Sequence, residues 1–151
     1  MSFASLPDRR ADVDPDGPAV RDGRQSLTNA RFLGRVRAAS LHLRDFGIGR
    51  GEVVALKLRN RVEFVVVMFA CWRLGATVTP VNPSLTDAEV TRQLNDSGAR
   101  LLVVEDSATA AGSVPTLAVD DLYKRADRSD PTPQLDSTAL ALLIYTSGTT
   151  G

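Results

Sequence analysis

A single cysteine, Cys71, is all the thiol this sequence offers, so no intrachain disulfide can staple it. That usage fits a reducing compartment. Histidine is as scarce. His42 is the single histidine, so it reads as a packing or surface residue and no metal site is expected. Aromatics are few (Phe 5, Tyr 2, Trp 1), so the core must be built mainly from Leu, Val and Ala. The longest apolar run, residues 64–72, is about half a membrane span. No basic segment followed by an apolar one opens the chain, so no secretory leader is expected. Net charge is lacking too: 18 basic groups face 18 acidic ones, which argues against a dedicated nucleic-acid binder. Together these absences predict a soluble, cytoplasmic protein with no transmembrane segment.

What is present is ordinary for a globule: 43% hydrophobic and 24% charged residues in 151 positions, enough for one domain or part of one. A chain of this size buries about 70% of its unfolded surface. Charge is uneven. Residues 1–75 carry 13 basic and 8 acidic groups, and residues 76–151 carry 5 and 10. The plain reading is two solvated faces. Peripheral contact of the Arg-rich first helix with an anionic membrane surface is the lesser reading, and self-association stays open.

Periodicity divides the chain. Residues 18–27 read as a hairpin turning at Asp22-Gly23. Thr28 or Asn29 can cap the helix that follows, whose apolar stripe is Phe32, Leu33, Val36, Ala39, Leu43 and Phe46 and which Gly47 ends. A strand over 53–58 leads to a helix over 62–74, apolar nearly all round and therefore buried on most sides. Then come a short strand over 77–80, the turn Val81-Asn82-Pro83, and a capping box, Thr86-Asp87-Ala88-Glu89, opening a helix to about Ser97, with Gly98 closing it. Residues 100–104 form a third core strand. Strand, helix, strand, helix, strand at this spacing means a parallel α/β sheet flanked by helices. Residues 17–105 are thus the α/β core. Residues 106–136 lose periodicity and read as a variable connection with one minor element near 117–123. Residues 137–151 hold a buried strand, 139–145, with Tyr145 packed at its end, and the run that follows it.

That run is Thr146-Ser147-Gly148-Thr149-Thr150-Gly151. Glycines let the backbone bend and turn its amides toward an anion, and hydroxyls add donors for phosphate oxygens. The Gly-x4-Gly-Lys-Ser/Thr loop is absent, so this is no ordinary P-loop NTPase, and no Gly-x-Gly-x-x-Gly supports a dinucleotide fold.

Ile144-Tyr145-Thr146-Ser147-Gly148-Thr149-Thr150-Gly151 resembles the phosphate-binding loop of the adenylate-forming acyl-CoA synthetases. The likeness continues upstream in order: Leu27-Thr28; Gly47-Ile48-Gly49-Arg50-Gly51-Glu52-Val53-Val54-Ala55; Asn60 with Glu63-Phe64; Gly75 through Pro83; and Asp96-Ser97-Gly98-Ala99. It covers about residues 18–105 and 136–151. Asn29 stands where the family often has an aromatic, and Glu52 where Asp is commoner. Ser-Gly-Thr-Thr-Gly and Val-Asn-Pro lean towards fatty or aryl acid–CoA ligases rather than amino-acid-activating domains.

The resemblance implies part of the large N-terminal domain of that fold. It implies a reaction that activates a carboxylic acid, such as a fatty acid, with ATP and Mg2+ and passes it to CoA. Thr146, Ser147, Gly148, Thr149, Thr150 and Gly151 would hold the ATP phosphates. The family's Pro-Lys-Gly continuation, its Thr-Glu motif, its ribose-binding Asp and its C-terminal lid with the adenylation Lys are not among these residues. No catalytic residue is therefore assigned, and the 151 residues alone are expected to be inactive. The rival readings are a ligase that loads a carrier protein, and a truncated non-enzymatic product that pairs with another chain.

Overall fold

An extended Val53-Val54-Ala55-Leu56 must send alternate side chains to opposite faces of a sheet. In the computed structural model, which describes residues 2–107, 114–124 and 139–146, Val54 and Leu56 enter one apolar cluster while Val53 and Ala55 enter another. Leu101 and Val103 join the first cluster, Leu102 and Val104 the second. The sheet is therefore buried on both faces, which is the condition parallel sheets require.

A short 3-10 turn, Phe3–Ser5, leads into α1 (Leu6–Val13). A hairpin of β1 (Pro18–Arg21) and β2 (Ser26–Thr28) follows, then α2 (Asn29–Asp45), β3 (Val53–Lys57), α3 (Val62–Arg73), β4 (Thr77–Pro80), α4 (Asp87–Ser97), β5 (Ala99–Val104) and β6 (Thr116–Ala118). The main sheet has the order β4-β3-β5-β6, every pair parallel. The three core strands are parallel neighbours, as their spacing predicts. The minor element expected near 117–123 is β6 with a 3-10 turn after it, and it forms the fourth strand.

Local chemistry sets the helix ends. Thr28 caps α2 by accepting from the Arg31 amide, and Gly47 takes the left-handed φ of +83° that the exit needs. Thr86 and Glu89 close a full capping box on α4. α3 is rich in β-branched valine, which disfavours a helix in isolation. Burial overrides this: Val62, Val66, Val67, Ala70 and Cys71 lie in the first cluster between the sheet and α2. Among the described residues no helix is long and apolar enough to cross a membrane.

Two findings depart from the sequence reading. The helix α1 has no apolar stripe to announce it. It is held by Asp8, which pairs in bidentate fashion with the buried Arg73 of α3 at 2.7 and 3.0 Å. The second concerns the strand expected to be buried over 139–145. Only Leu142 bridges the sheet, parallel to Val78, and Leu140 (58%), Ile144 (63%) and Tyr145 (38%) are exposed. Its apolar run meets β4 along one edge, and among the described residues no further strand pairs with its other edge.

Candidate functional site at the carboxyl end of the sheet

Segment 139–146 is held by main-chain and side-chain bonds. The Val78 amide donates to Ala141 O at 3.0 Å, and the Leu143 amide donates to Val78 O at 2.9 Å. Trp72 Nε1 donates to Ala141 O at 2.8 Å, and Thr77 Oγ1 to Leu140 O at 2.6 Å. The parallel bridge fixes direction. The segment runs with β4, so Thr146 leaves the sheet at the same end at which β4 turns off through Val81 and Asn82. In open α/β sheets this carboxyl end is where ligands bind.

The turn beside it is ordered by its own residues. Asn82 Oδ1 accepts from the Ser84 amide at 2.9 Å, and Asn82 O from the Leu85 amide at 3.1 Å, which brings the chain to the Thr86 cap of α4. Of the six predicted phosphate ligands, Thr146 is described and is exposed at this end of the sheet. Ser147, Gly148, Thr149, Thr150 and Gly151 lie outside the described residues. Among the described residues no group of three His, Cys, Asp or Glu is placed to hold a metal ion.

Further along the same end of the sheet lies a charged network. Arg61 pairs with Glu63 at 2.7 Å and with Glu105. Gln25 Nε2 donates to Glu63 Oε1 at 2.9 Å, and the Arg59 amide to Glu105 Oε1 at 2.8 Å. Burial acts to raise both glutamates, but the bonds they accept, Arg61's among them, outweigh it and hold each carboxyl below the usual range. Asp22 is held below its usual range by backbone amides, Val62 first and then Arg24 and Gln25. Through Val62 N, at 2.8 Å, it caps α3 from 40 positions away, because Arg61 at the cap position supplies no side-chain bond.

Glu63 thereby braces α3 against the hairpin, its carboxylate accepting from Gln25 and pairing with Arg61. An open cleft of about 400 Å3 lies against it, lined in part by Val20, Asp22, Asn60, Arg61 and Phe64. A smaller cleft, about 270 Å3, is lined by Glu89, Arg92, Gln93, Asp96 and Tyr145 and borders the root of the loop. Cys71 is fully buried, and burial pushes its thiol far above the ordinary range, which makes it inert. His42 lies against Phe46, ring centres 5.5 Å apart.

Residues 7–151 match the family model described as AMP-binding enzyme. The chain is 34% identical over 148 residues to a 2-succinylbenzoate–CoA ligase of Bacillus licheniformis, covering 95% of this chain and 31% of that protein. It is 35% identical over 157 residues to a feruloyl-CoA synthase of Amycolatopsis, covering all of this chain and 32% of that protein. It is also 32% identical over 154 residues to surfactin synthase subunit 2 of Bacillus subtilis, covering 99% of this chain and 4% of that much longer protein. Among solved structures, the Klebsiella oxytoca NpsA N-terminal subdomain superposes with a TM-score of 0.87 at 25% identity, covering 99% of this chain and 40% of that one. The O-succinylbenzoate coenzyme A synthetase of Bacillus subtilis, in complex with AMP, superposes with 0.79 at 30% identity, covering 96% and 39%. The chain thus spans about a third of the two CoA-ligase relatives.

Proposed function

Because this chain belongs to the AMP-binding enzyme family, we propose that it is the N-terminal portion of an adenylate-forming ligase. In the proposed reaction a carboxylate oxygen attacks the α-phosphorus of ATP. A carbon–oxygen–phosphorus anhydride forms and pyrophosphate leaves. The thiol of CoA then attacks the acyl carbonyl and AMP departs. Thr146, Ser147, Gly148, Thr149, Thr150 and Gly151 would cradle the leaving phosphates, and Mg2+ bound with the nucleotide would supply further neutralisation of phosphate charge. What these residues supply is position and charge neutralisation, which is most of what phosphoryl chemistry asks of a protein.

The observation that carries the reading is the parallel bridge between Val78 and Leu142. It directs the segment so that Thr146, the first residue of the run, lies at the carboxyl end of the sheet, beside the β4 turn. CoA is preferred as acceptor on Ser-Gly-Thr-Thr-Gly and Val-Asn-Pro. A fatty or aryl acid is the substrate class, and relatives named for succinylbenzoate and ferulate incline it to the aryl side. The likeness to surfactin synthase keeps one second reading, in which the acceptor is a protein-bound thiol. A cytoplasmic setting suits ATP and CoA as co-substrates. Residues 137–151 then act as one unit, strand plus phosphate loop.

The test is acid-dependent ATP–pyrophosphate exchange in a protein where residues 1–151 are followed by the remaining two thirds that the relatives carry. Gly148→Val crowds the bend and should abolish exchange while circular dichroism stays unchanged. Full exchange in a folded Gly148→Val protein overturns the assignment.

A further inference from the structure

The sequence reads Tyr145 as a packing residue, with nucleotide contact as the lesser reading. In the structure the residue is 38% exposed, and its hydroxyl donates to Asp96 Oδ2 at 2.5 Å. Asp96 stands in the last turn of α4, a helix closed by a capping box at one end and by Gly98, at φ +67°, at the other. α4 is in turn fixed to β4, because the buried Gln93 donates to Pro80 O at 2.9 Å and to Thr79 Oγ1 at 3.3 Å. The phenol is therefore tied to a helix that is itself tied to the strand beside it.

The other anchors of the segment fall earlier. Thr77 holds Leu140, Trp72 holds Ala141, and among the described residues the last main-chain bond is at Leu143. From Leu143 to Thr146 is three residues, about 10 Å of extended chain at roughly 3.3 Å each. With no bond past Leu143, Thr146 would be free to swing through that radius. Tyr145 makes the hydrogen bond nearest to Thr146 among the described residues.

We propose that Tyr145 and Asp96 are positioning residues of the phosphate site, a clasp that fixes the point at which the chain leaves the sheet. The proposal rests on the reading of residues 146–151 as a phosphate loop. Fixing Thr146 in advance lowers the ordering cost of binding, so the clasp strengthens phosphate binding without touching phosphate.

The test uses the 151-residue chain with sodium pyrophosphate as probe. Trp72 is the single tryptophan, so its emission reports whether Ala141 is docked. Amide exchange at Leu143 reports the strand, and the backbone order parameter at Thr146 from 15N relaxation reports its exit. In Tyr145→Phe and Asp96→Ala, Trp72 emission and Leu143 exchange should stay as in the parent, the Thr146 order parameter should fall from a rigid to a flexible value, and the pyrophosphate Kd should rise five- to tenfold. Asp96→Asn keeps an acceptor oxygen and should restore the order parameter and bring the Kd back to within about twofold, a rescue that a merely structural role does not predict. An unchanged Thr146 order parameter in Tyr145→Phe overturns the clasp. So does unchanged pyrophosphate binding there when Gly148→Val abolishes binding, and the phosphate-loop reading then survives. Failure of the parent chain to bind pyrophosphate overturns the phosphate reading, and the positioning role with it.

Discussion

Val53-Val54-Ala55-Leu56 and Leu140-Ala141-Leu142-Leu143-Ile144 are equally apolar stretches, and they meet opposite fates. Val54, Ala55 and Leu56 have no exposed surface, whereas Leu140 is 58% and Ile144 63% exposed. The difference lies in neighbours. β3 has β4 on one side, β5 on the other, α2 and α3 over one face and α4 over the other. Among the described residues, segment 139–146 has one strand beside it and is held by a few bonds. Apolar composition marks what can be buried, and topology decides what is. The residues assigned to phosphate thus follow a lightly packed edge segment, in keeping with binding residues placed on loops that a rigid scaffold positions.

The largest expected effect is in the scaffold. Leu101→Ala removes a fully buried side chain from the first cluster and should cost about 2–5 kcal/mol, with a matching fall in the urea midpoint. A loss as small as that of a surface substitution would mean the sheet is not the cooperative unit.

Acid should act next, and on the same region. Burial tends to raise Asp8, but the bond and charge of Arg73 bring it below its usual range, and Glu63 and Glu105 are lowered beside Arg61. A lowered carboxyl contributes stability that is whole above the unfolded value and is lost as pH falls through the folded value. The urea midpoint should therefore hold from neutral pH to the ordinary carboxylate range and decline below it. Arg73→Met removes the nearer of the two charges that lower Asp8, leaving Arg37, and should flatten part of that decline. An unchanged acid profile would show that the Asp8–Arg73 pair is not what ties α1 to the rest.

How much of this was legible in the sequence depends on the range of the interaction. Elements set by neighbours in the chain were readable: the Thr86–Glu89 box, the glycines at 47 and 98, and the alternation of β3 and β5. So was the Ser/Thr/Gly run after an apolar stretch. What escaped is set at a distance. α1 is held by a pair 65 positions apart, the cap of α3 arrives from 40 positions away, and Tyr145 finds Asp96 at a separation of 49. Exposure of the edge segment escaped for a related reason, since a sequence shows a strand's composition but not how many strands flank it.

The Asp22 cap offers a milder perturbation of the scaffold. Asp22→Ala deprives the Val62, Arg24 and Gln25 amides of their acceptor. The urea midpoint should fall by less than in Leu101→Ala, because the freed amides of the turn and the helix end reach water. A fall as large as that of the core variant would place the hairpin turn inside the folding unit rather than on its surface.

The smallest effect belongs to the edge, and it tests the comparison most directly. Leu142 is half-buried and packs against the first cluster from outside. Leu142→Ala should shift global stability by no more than about 1 kcal/mol, since only part of the side chain leaves an apolar environment and the segment can open without unfolding the sheet. Local opening should be visible all the same. Trp72, whose indole bonds to Ala141 O, would gain water, and its emission should move to the red while the circular dichroism and the urea midpoint barely change. A Leu142→Ala variant as unstable as Leu101→Ala would mean that segment and sheet unfold as one, and that the loop root is part of the core rather than a strand clasped to its rim.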